Sequence, residues 1–350
     1  MSEHNNLFSG SGKFALYAVA GAGLLAAARS IYRNMTRYDF RDQVVVITGG
    51  SRGLGLLIAR ELAAKGAHLV ICSRTTAQLE KAEEALNALG ANVLTVRADI
   101  SVQQDAQKVI DAAVSHFGKV DVLINNAGTM TVGPQDVMDI EDFKNAMDIN
   151  FWGGLYMIKA ALPYFTEQQA GRIANICSIG GKISVPHLLP YSVSKFAMVG
   201  LSEGLHAELK KDNIHVTTVI PNLMQTGSPR NISVKGDHEA EYAWFKTAGS
   251  SSLLSQNAKK SAREIVEAIE FGENELILTA TGKLSVALQG VNPGLISALS
   301  AAANKFLPTG ADNSQGNAFE TKKGYESESE KSIGIVNAKT DKAAIENNEL

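Results

Sequence analysis

Between Asp42 and about Ala280, near-continuous apolar runs alternate with stretches of helical periodicity. No other feature constrains the fold of this chain as strongly. Gln43–Thr48 is almost wholly apolar, the pattern of a strand covered on both faces. A helix is predicted over Leu54–Lys65, a strand in "AHLVICS", a helix over Thr76–Leu89 and a strand in "ANVLTVR". Ser101 with Gln104 three residues on is the spacing of a capping box. The helix it would open carries Ala106, Val109, Ile110, Ala113, Val114 and Phe117 as one apolar stripe. "VDVLINNAG", "GRIANICS", "IHVTTVIP" and "ELILTA" supply further strands, with a long helix over Tyr191–Lys211. This rhythm implies right-handed crossovers and an α/β fold: a doubly wound parallel sheet with helices on both faces. No internal boundary interrupts it, so residues 41–280 form one domain.

Ligands of doubly wound sheets lie beyond the carboxyl ends of the strands. The turn after the first strand, "TGGSRGLG" (Thr48–Gly55), is therefore placed to meet one. Gly49, Gly53 and Gly55 permit close backbone approach, and the helix that follows offers its N-terminal N–H groups to phosphate. The spacing is G-x-x-x-G-x-G, whereas the common dinucleotide turn is G-x-G-x-x-G.

Further along, "YSVSK" puts Tyr191 and Lys195 four residues apart, on one helix face. An ammonium beside a phenol favours the phenolate and is expected to lower the tyrosine pKa. Ser178 ends a strand thirteen residues before Tyr191, where its hydroxyl can hold a carbonyl oxygen. Asn150, in "MDINFWG", can fix a water or a backbone group that supports the lysine. Singly, each has an ordinary explanation; together they describe a site for moving one proton.

In these motifs the chain resembles the short-chain dehydrogenase/reductase family, over about residues 41–280. The resemblance rests on "TGGSRGLG", on "ADI" with Asp99 and Ile100, on "NNAG" (Asn125–Gly128), on Asn150, Ser178 and "YSVSK", and on "PNLMQT" (Pro221–Thr226). It implies a Rossmann-type fold and identifies the glycine turn as that family's own dinucleotide site. By the same resemblance, Tyr191 exchanges the proton, Lys195 lowers its pKa and binds the nicotinamide ribose, Ser178 orients the carbonyl, and Asn150 completes a proton relay. Thr48, Gly49, Ser51, Arg52, Gly53, Leu54, Gly55, Ser73, Arg74, Asp99, Ile100, Asn126, Ala127, Gly128, Tyr191, Lys195, Pro221 and Thr226 would line the cofactor, with Asp99 against the adenine. Asn222 departs from the family pattern, which has glycine after that proline.

The choice of cofactor turns on the end of the second strand. NAD users carry an acidic residue there for the ribose 2′-OH. This strand ends "ICSRTT", with Ser73 at that position, Arg74 after it and Arg52 in the glycine turn. Guanidinium groups without a carboxylate suit a 2′-phosphate, so NADP(H) is expected.

Composition settles the surroundings. A formal net charge of −3 leaves no basic footprint for nucleic acid. The two cysteines, Cys72 and Cys177, lie in apolar runs without metal-ligand spacing, and read as reduced core residues; no metal site is expected. After a polar stretch over 1–12, the uncharged run Phe14–Ala28 marks 13–33 as an apolar helix, short for a span that needs about twenty residues. Arg29, Arg33, Arg37 and Arg41 follow it, which favours a membrane anchor with the catalytic domain facing the cytoplasm. Residues 281–309 read as a helical extension, in which Leu295, Leu299, Ala302 and Phe306 form an apolar stripe. Residues 310–350 are polar and charged and read as a disordered tail. "EYAWFK", with Tyr242, Trp244 and Phe245, falls where the family's substrate lid lies.

The reading that follows is a membrane-associated NADP(H)-dependent oxidoreductase acting on a small, lipophilic carbonyl or secondary alcohol, with a homodimer or homotetramer as the candidate assembly. Two others remain open at this point: a 3-oxoacyl thioester reductase of lipid metabolism, and a cofactor-binding scaffold without turnover. The intact set of Asn150, Ser178, Tyr191 and Lys195 disfavours the scaffold.

Overall fold

A computed structural model describes residues 37–251, 255–309, 318–332 and 338–349, together with isolated positions between 17 and 31. Seven strands form the central sheet: β1 (Val44–Thr48), β2 (His68–Ser73), β3 (Val93–Arg97), β4 (Val122–Asn125), β5 (Gly171–Ile176), β6 (Ile214–Ile220) and β7 (Glu275–Ile277). Their spatial order is β7-β6-β5-β4-β1-β2-β3, and every pairing is parallel. The register sets Val44 of β1 opposite His68 of β2, and Val45 opposite Val122 of β4.

Parallel strands covered on both faces must be apolar at every position, and β1 is buried along its whole length. Its side chains alternate: Val45 and Ile47 enter one core, Val44 and Val46 the other. The first core packs beneath α1 (Gly53–Ala63), α2 (Thr76–Asn87) and α8 (Ala258–Glu270). The second packs beneath α3 (Gln103–Phe117), α5 (Gly153–Gln168) and α6 (Leu189–Leu209). Between these crossovers lie α4 (Ile140–Met147) and α7 (His238–Ser250). After β7 the chain continues into α9 (Ala280–Val291) and α10 (Pro293–Asn304), and α11 (Ala338–Glu346) is the last helix. The seven-stranded parallel sheet clad by helices is the single-domain Rossmann-type fold that the alternation predicts.

Several local expectations fail for physical reasons. The Ser101–Gln104 capping box does not form: α3 starts at Gln103 without a side-chain cap. Asp99 takes Ser101 instead, accepting from its N–H at 3.1 Å and its hydroxyl at 2.7 Å. Much of the segment read as a disordered tail is ordered. Residues 322–323 pair with Ser233–Val234 at a sheet edge, and α11 packs on α7. The polar composition misleads because the tail's charges find a fixed partner. Lys246 of α7, 1% exposed, holds Glu328 at 2.7 Å and Asp341 at 2.9 Å.

The apolar segment 13–33 lies almost wholly outside the described residues. Among the described residues no helix is long and apolar enough to cross a membrane. Both cysteines are buried and unpaired, and burial pushes each thiol up to about 12, which suits inert core positions.

Candidate active site

Strand order reverses beside β1, and a crevice opens there beyond the carboxyl ends of β1 and β4. It is a cleft of about 700 Å³. It runs from the glycine turn past Asp99 and Asn126 to Ser178 and Tyr191, and ends among Leu188, Ile232, Trp244 and Phe245.

The glycines of the turn are required by geometry. Gly49 and Gly53 sit at φ +63° and +54°, the left-handed region that side chains disfavour. A Cβ on Gly55 would drive into the Gly49 carbonyl oxygen and come within 2.5 Å of Asn126 Nδ2. Thr48 and Asn126 lock the turn to β4. Thr48 Oγ1 accepts from the N–H groups of Asn126 and Ala127, each at 3.0 Å. The Asn126 amide donates to the carbonyls of Thr48 at 2.9 Å and Gly49 at 3.2 Å.

At the far side of the turn, β2 ends in Ser73, whose Oγ accepts from Thr75 N at 3.3 Å. Arg74 lies 3.7 Å from the carboxylate of Asp99 and is largely exposed. Burial holds the Arg52 guanidinium below its ordinary pKa; Glu349 opposes that shift and the charge of Arg74 adds to it.

The proton-handling residues come from three elements. Asn150 lies in a π-helical turn, Asp148–Trp152, between α4 and α5. Its Oδ1 accepts from Thr129 N at 2.8 Å, and its Nδ2 donates to Thr129 O and to Ser194 Oγ, each at 2.9 Å. Ser194 in turn donates to the carbonyl of Tyr191 at 2.7 Å. Lys195, buried in α6, donates to the carbonyl of Ile176 at 2.9 Å. Its Nζ is 5.7 Å from the centroid of the Tyr191 ring. Gly128 leaves room for both: a Cβ there would lie 3.0 Å from Asn150 Oδ1 and 3.6 Å from Lys195 Nζ.

The expected depression of the Tyr191 pKa is not found. Burial pushes the phenol up to about 12, against a hydrogen bond from Ser178 that lowers it. Lys195 is itself held below its ordinary value by burial. Desolvation governs the phenol, while Lys195 makes its hydrogen bond to the Ile176 carbonyl.

Of the residues singled out from sequence, Gly49, Ser51, Arg52, Gly53, Leu54, Ser73, Arg74, Asp99, Ile100, Asn126, Ala127, Gly128, Ser178, Tyr191, Lys195, Pro221 and Thr226 line this one cleft. Thr48, Gly55 and Asn150 stand behind its wall. In the lid region, Trp244 and Phe245 line the cleft, whereas Tyr242 is fully buried in a separate core with Val132 and Val234. Asn222 lines the cleft, and its Oδ1 accepts from Leu223 N at 2.9 Å.

Sequence reasoning missed two features. His187 sits at φ +62°, with Nδ1 2.8 Å from the fully buried Glu241, whose other oxygen accepts from Trp244 Nε1 at 2.7 Å. This pair fixes the indole at the cleft wall; a histidine and a glutamate so far apart in the chain give no local signal. The second is Glu349, which lines the cleft beside the glycine turn.

Comparison with known proteins agrees with this geometry. The family model for short chain dehydrogenase matches residues 43–235, more than half of the chain. The protein is 34% identical over 279 residues to 11-beta-hydroxysteroid dehydrogenase-like 2 of Arabidopsis thaliana, covering 79% of this chain and 86% of that one. It is 34% identical over 213 residues to 11-beta-hydroxysteroid dehydrogenase 1A of the same plant, where the match spans 60% of either protein's length. Among solved structures, a short chain dehydrogenase/reductase from Burkholderia phymatum in complex with NAD superposes with a TM-score of 0.65 at 25% identity, over 74% of this chain and 96% of that one. With its glycine turn, its Tyr-x-x-x-Lys helix and this matched span, the chain belongs to the short-chain dehydrogenase family of oxidoreductases.

Proposed function

We propose that the protein is an NADP(H)-dependent oxidoreductase that interconverts a lipophilic ketone and its secondary alcohol, with Tyr191 as general acid and base. The observation that carries this reading is the single cleft that joins the glycine turn to Ser178, Tyr191 and Lys195.

The residues fit a dinucleotide. Glycines at +63° and +54° put no side chain of their own on the turn, and the N-terminus of α1 faces the same space. Arg52 and Arg74, with no carboxylate at the end of β2, favour the 2′-phosphate form. Bound there, the dinucleotide supplies or takes up the hydride. The protein's own residues handle the oxygen of the substrate. The Ser178 and Tyr191 hydroxyls hold the carbonyl oxygen, and Tyr191 gives it a proton as negative charge develops. A phenol pushed up by burial keeps its proton, as a donor to the carbonyl oxygen requires. Lys195 places a positive charge behind the phenolate that remains. Asn150, fixed by Thr129 and Ser194, holds the turn after β4 and the base of α6 in register.

Met130, Ile183, Val185, Leu188, Ile232 and Trp244 give the substrate end apolar walls. The relatives named as hydroxysteroid dehydrogenases fit a lipophilic substrate. We assign residues 13–33 as a membrane anchor with the domain facing the cytoplasm. The exposed Leu284, Val291, Leu299 and Phe306 of the α9–α10 extension are suited to contact with an apolar surface.

The test is turnover of NADPH and of NADH by the purified full chain with ketones of increasing chain length. NADPH should be preferred by roughly ten- to a hundredfold, the worth of a charge-assisted phosphate contact, and Arg74→Ala should erase most of that preference. Equal use of NADH, or a preference unmoved by Arg74→Ala, would contradict the assignment.

A further inference from the structure

The phosphate end of the cleft holds a segment of the same chain. The N–H of Gly53, at the first turn of α1, donates to the carbonyl of Asn347 at 2.9 Å. Asn348 donates from Nδ2 to the carbonyls of Ser51 at 2.9 Å and Gln78 at 3.0 Å. Glu349, 5% exposed, accepts from the N–H of Gly227 at 2.6 Å. Its Oε1 would lie 3.0 Å from a Cβ on Gly53. Arg52 is the charged group that faces it.

An acidic group thus lies over the glycine turn, accepts the N–H of Gly227 and faces the Arg52 guanidinium, while the N–H of Gly53 is taken by the Asn347 carbonyl; these are the kinds of partner a phosphate uses. The segment is also built to stay. Ala344 is fully buried against Gly227, Glu346 pairs with Lys259 at 2.9 Å, and Thr340 bonds Ser250 of α7 at 3.0 Å. A lid would close over a ligand and leave the donors free. Here the donor of Gly53 is already taken, and one N–H cannot serve two acceptors at full strength.

We propose that residues 338–349 are an internal ligand of the phosphate cradle, with the Glu349 carboxyl in the place of the pyrophosphate, so that the C-terminal segment must leave before a dinucleotide binds. This rests on the dinucleotide reading above and adds a regulatory step to it. Cofactor affinity is then lowered by the fraction of molecules whose cradle is closed. Whatever draws the tail away, a partner surface or a modification, raises activity without touching the catalytic residues.

The experiment compares NADPH binding by the full chain with two full-chain variants that weaken docking from opposite sides. Glu349→Ala removes the acidic group. Gly227→Ala keeps its N–H and an ordinary φ of −78°, but its Cβ would drive into Ala344 and lie 2.6 Å from that residue's Cα. Both should bind NADPH about tenfold more tightly, as for a cradle closed in nine molecules of ten. In parallel, hydrogen exchange in α11 should quicken when NADPH is added to the unaltered chain. Equal affinities with unchanged exchange, or weaker binding by the variants with slower exchange in α11, would overturn the internal-ligand proposal while leaving the dinucleotide reading intact. Absence of NADPH binding by all three proteins would overturn the dinucleotide reading and the proposal with it.

Discussion

Replacing Asn150 by alanine separates a structural from a chemical account of this residue. The side chain is 3% exposed and makes three hydrogen bonds, two to the backbone of Thr129 and one to Ser194. Each such bond contributes about 0.5–1.5 kcal/mol net, and a donor left dry costs more. Thr129 borders the cleft, so water can reach part of what is lost. The expected destabilisation is therefore about 2–3 kcal/mol, not the sum of three full penalties. Equilibrium urea unfolding of the variant should show a lower midpoint with an unchanged slope. Turnover with a ketone should fall by at least tenfold, because the loop after β4 and the base of α6 lose their common anchor. A variant as stable as the parent, within about 0.5 kcal/mol, would refute the idea that Asn150 holds these elements together. Loss of turnover alone would then point to direct participation in proton transfer.

Three further outcomes follow from the same geometry. Gly55→Ala, whose Cβ would overlap the Gly49 carbonyl and crowd Asn126, should destabilise by more than about 3 kcal/mol and abolish dinucleotide binding, as read by unfolding and by NADPH fluorescence. Cys72 and Cys177, with thiols pushed up to about 12 by burial, should resist alkylation at mildly alkaline pH until the protein unfolds; rapid labelling of the folded chain would contradict their burial. Burial also pushes the Glu349 carboxyl up to about 7 from an ordinary 4.5, opposed by the Gly227 N–H and Arg52. The docked tail therefore holds its proton more tightly than a free tail. Docking is fully favoured below about 4.5 and weakens as pH rises through about 7, by on the order of 3 kcal/mol in all. NADPH affinity of the full chain, relative to Glu349→Ala, should accordingly rise between pH 5 and pH 8; a constant ratio would contradict it.

Which parts were legible in the sequence follows from the range over which each signal acts. Strands such as Val44–Thr48 announce themselves because burial on both faces demands apolar residues at every position. The site motifs were legible because the chemistry binds residue type to spacing. Tyr191 and Lys195 share a helix face, and Gly55 abuts Gly49 so closely that nothing larger fits. Competition between partners was not legible. Ser101 has the spacing of a cap, yet Asp99 is nearer and takes both its donors. The tail looked too polar to order, but its acids meet Lys246, which a scan of local composition cannot foresee. Proximity in sequence also said nothing of dielectric: Lys195 lies one turn from Tyr191, yet burial governs the phenol. The plug at the phosphate cradle joins residues nearly three hundred positions apart, Ser51 and Asn348, and only the folded chain reveals it.

The most direct test of the central claim compares NADPH oxidation by the full chain and by Tyr191→Phe, with a long-chain ketone as substrate. The variant removes one oxygen and keeps the ring, so NADPH affinity should hold within about twofold while turnover falls by roughly a hundredfold or more, the range for loss of a general acid. Turnover that survives in Tyr191→Phe would contradict the assignment of Tyr191 as the group that delivers the proton.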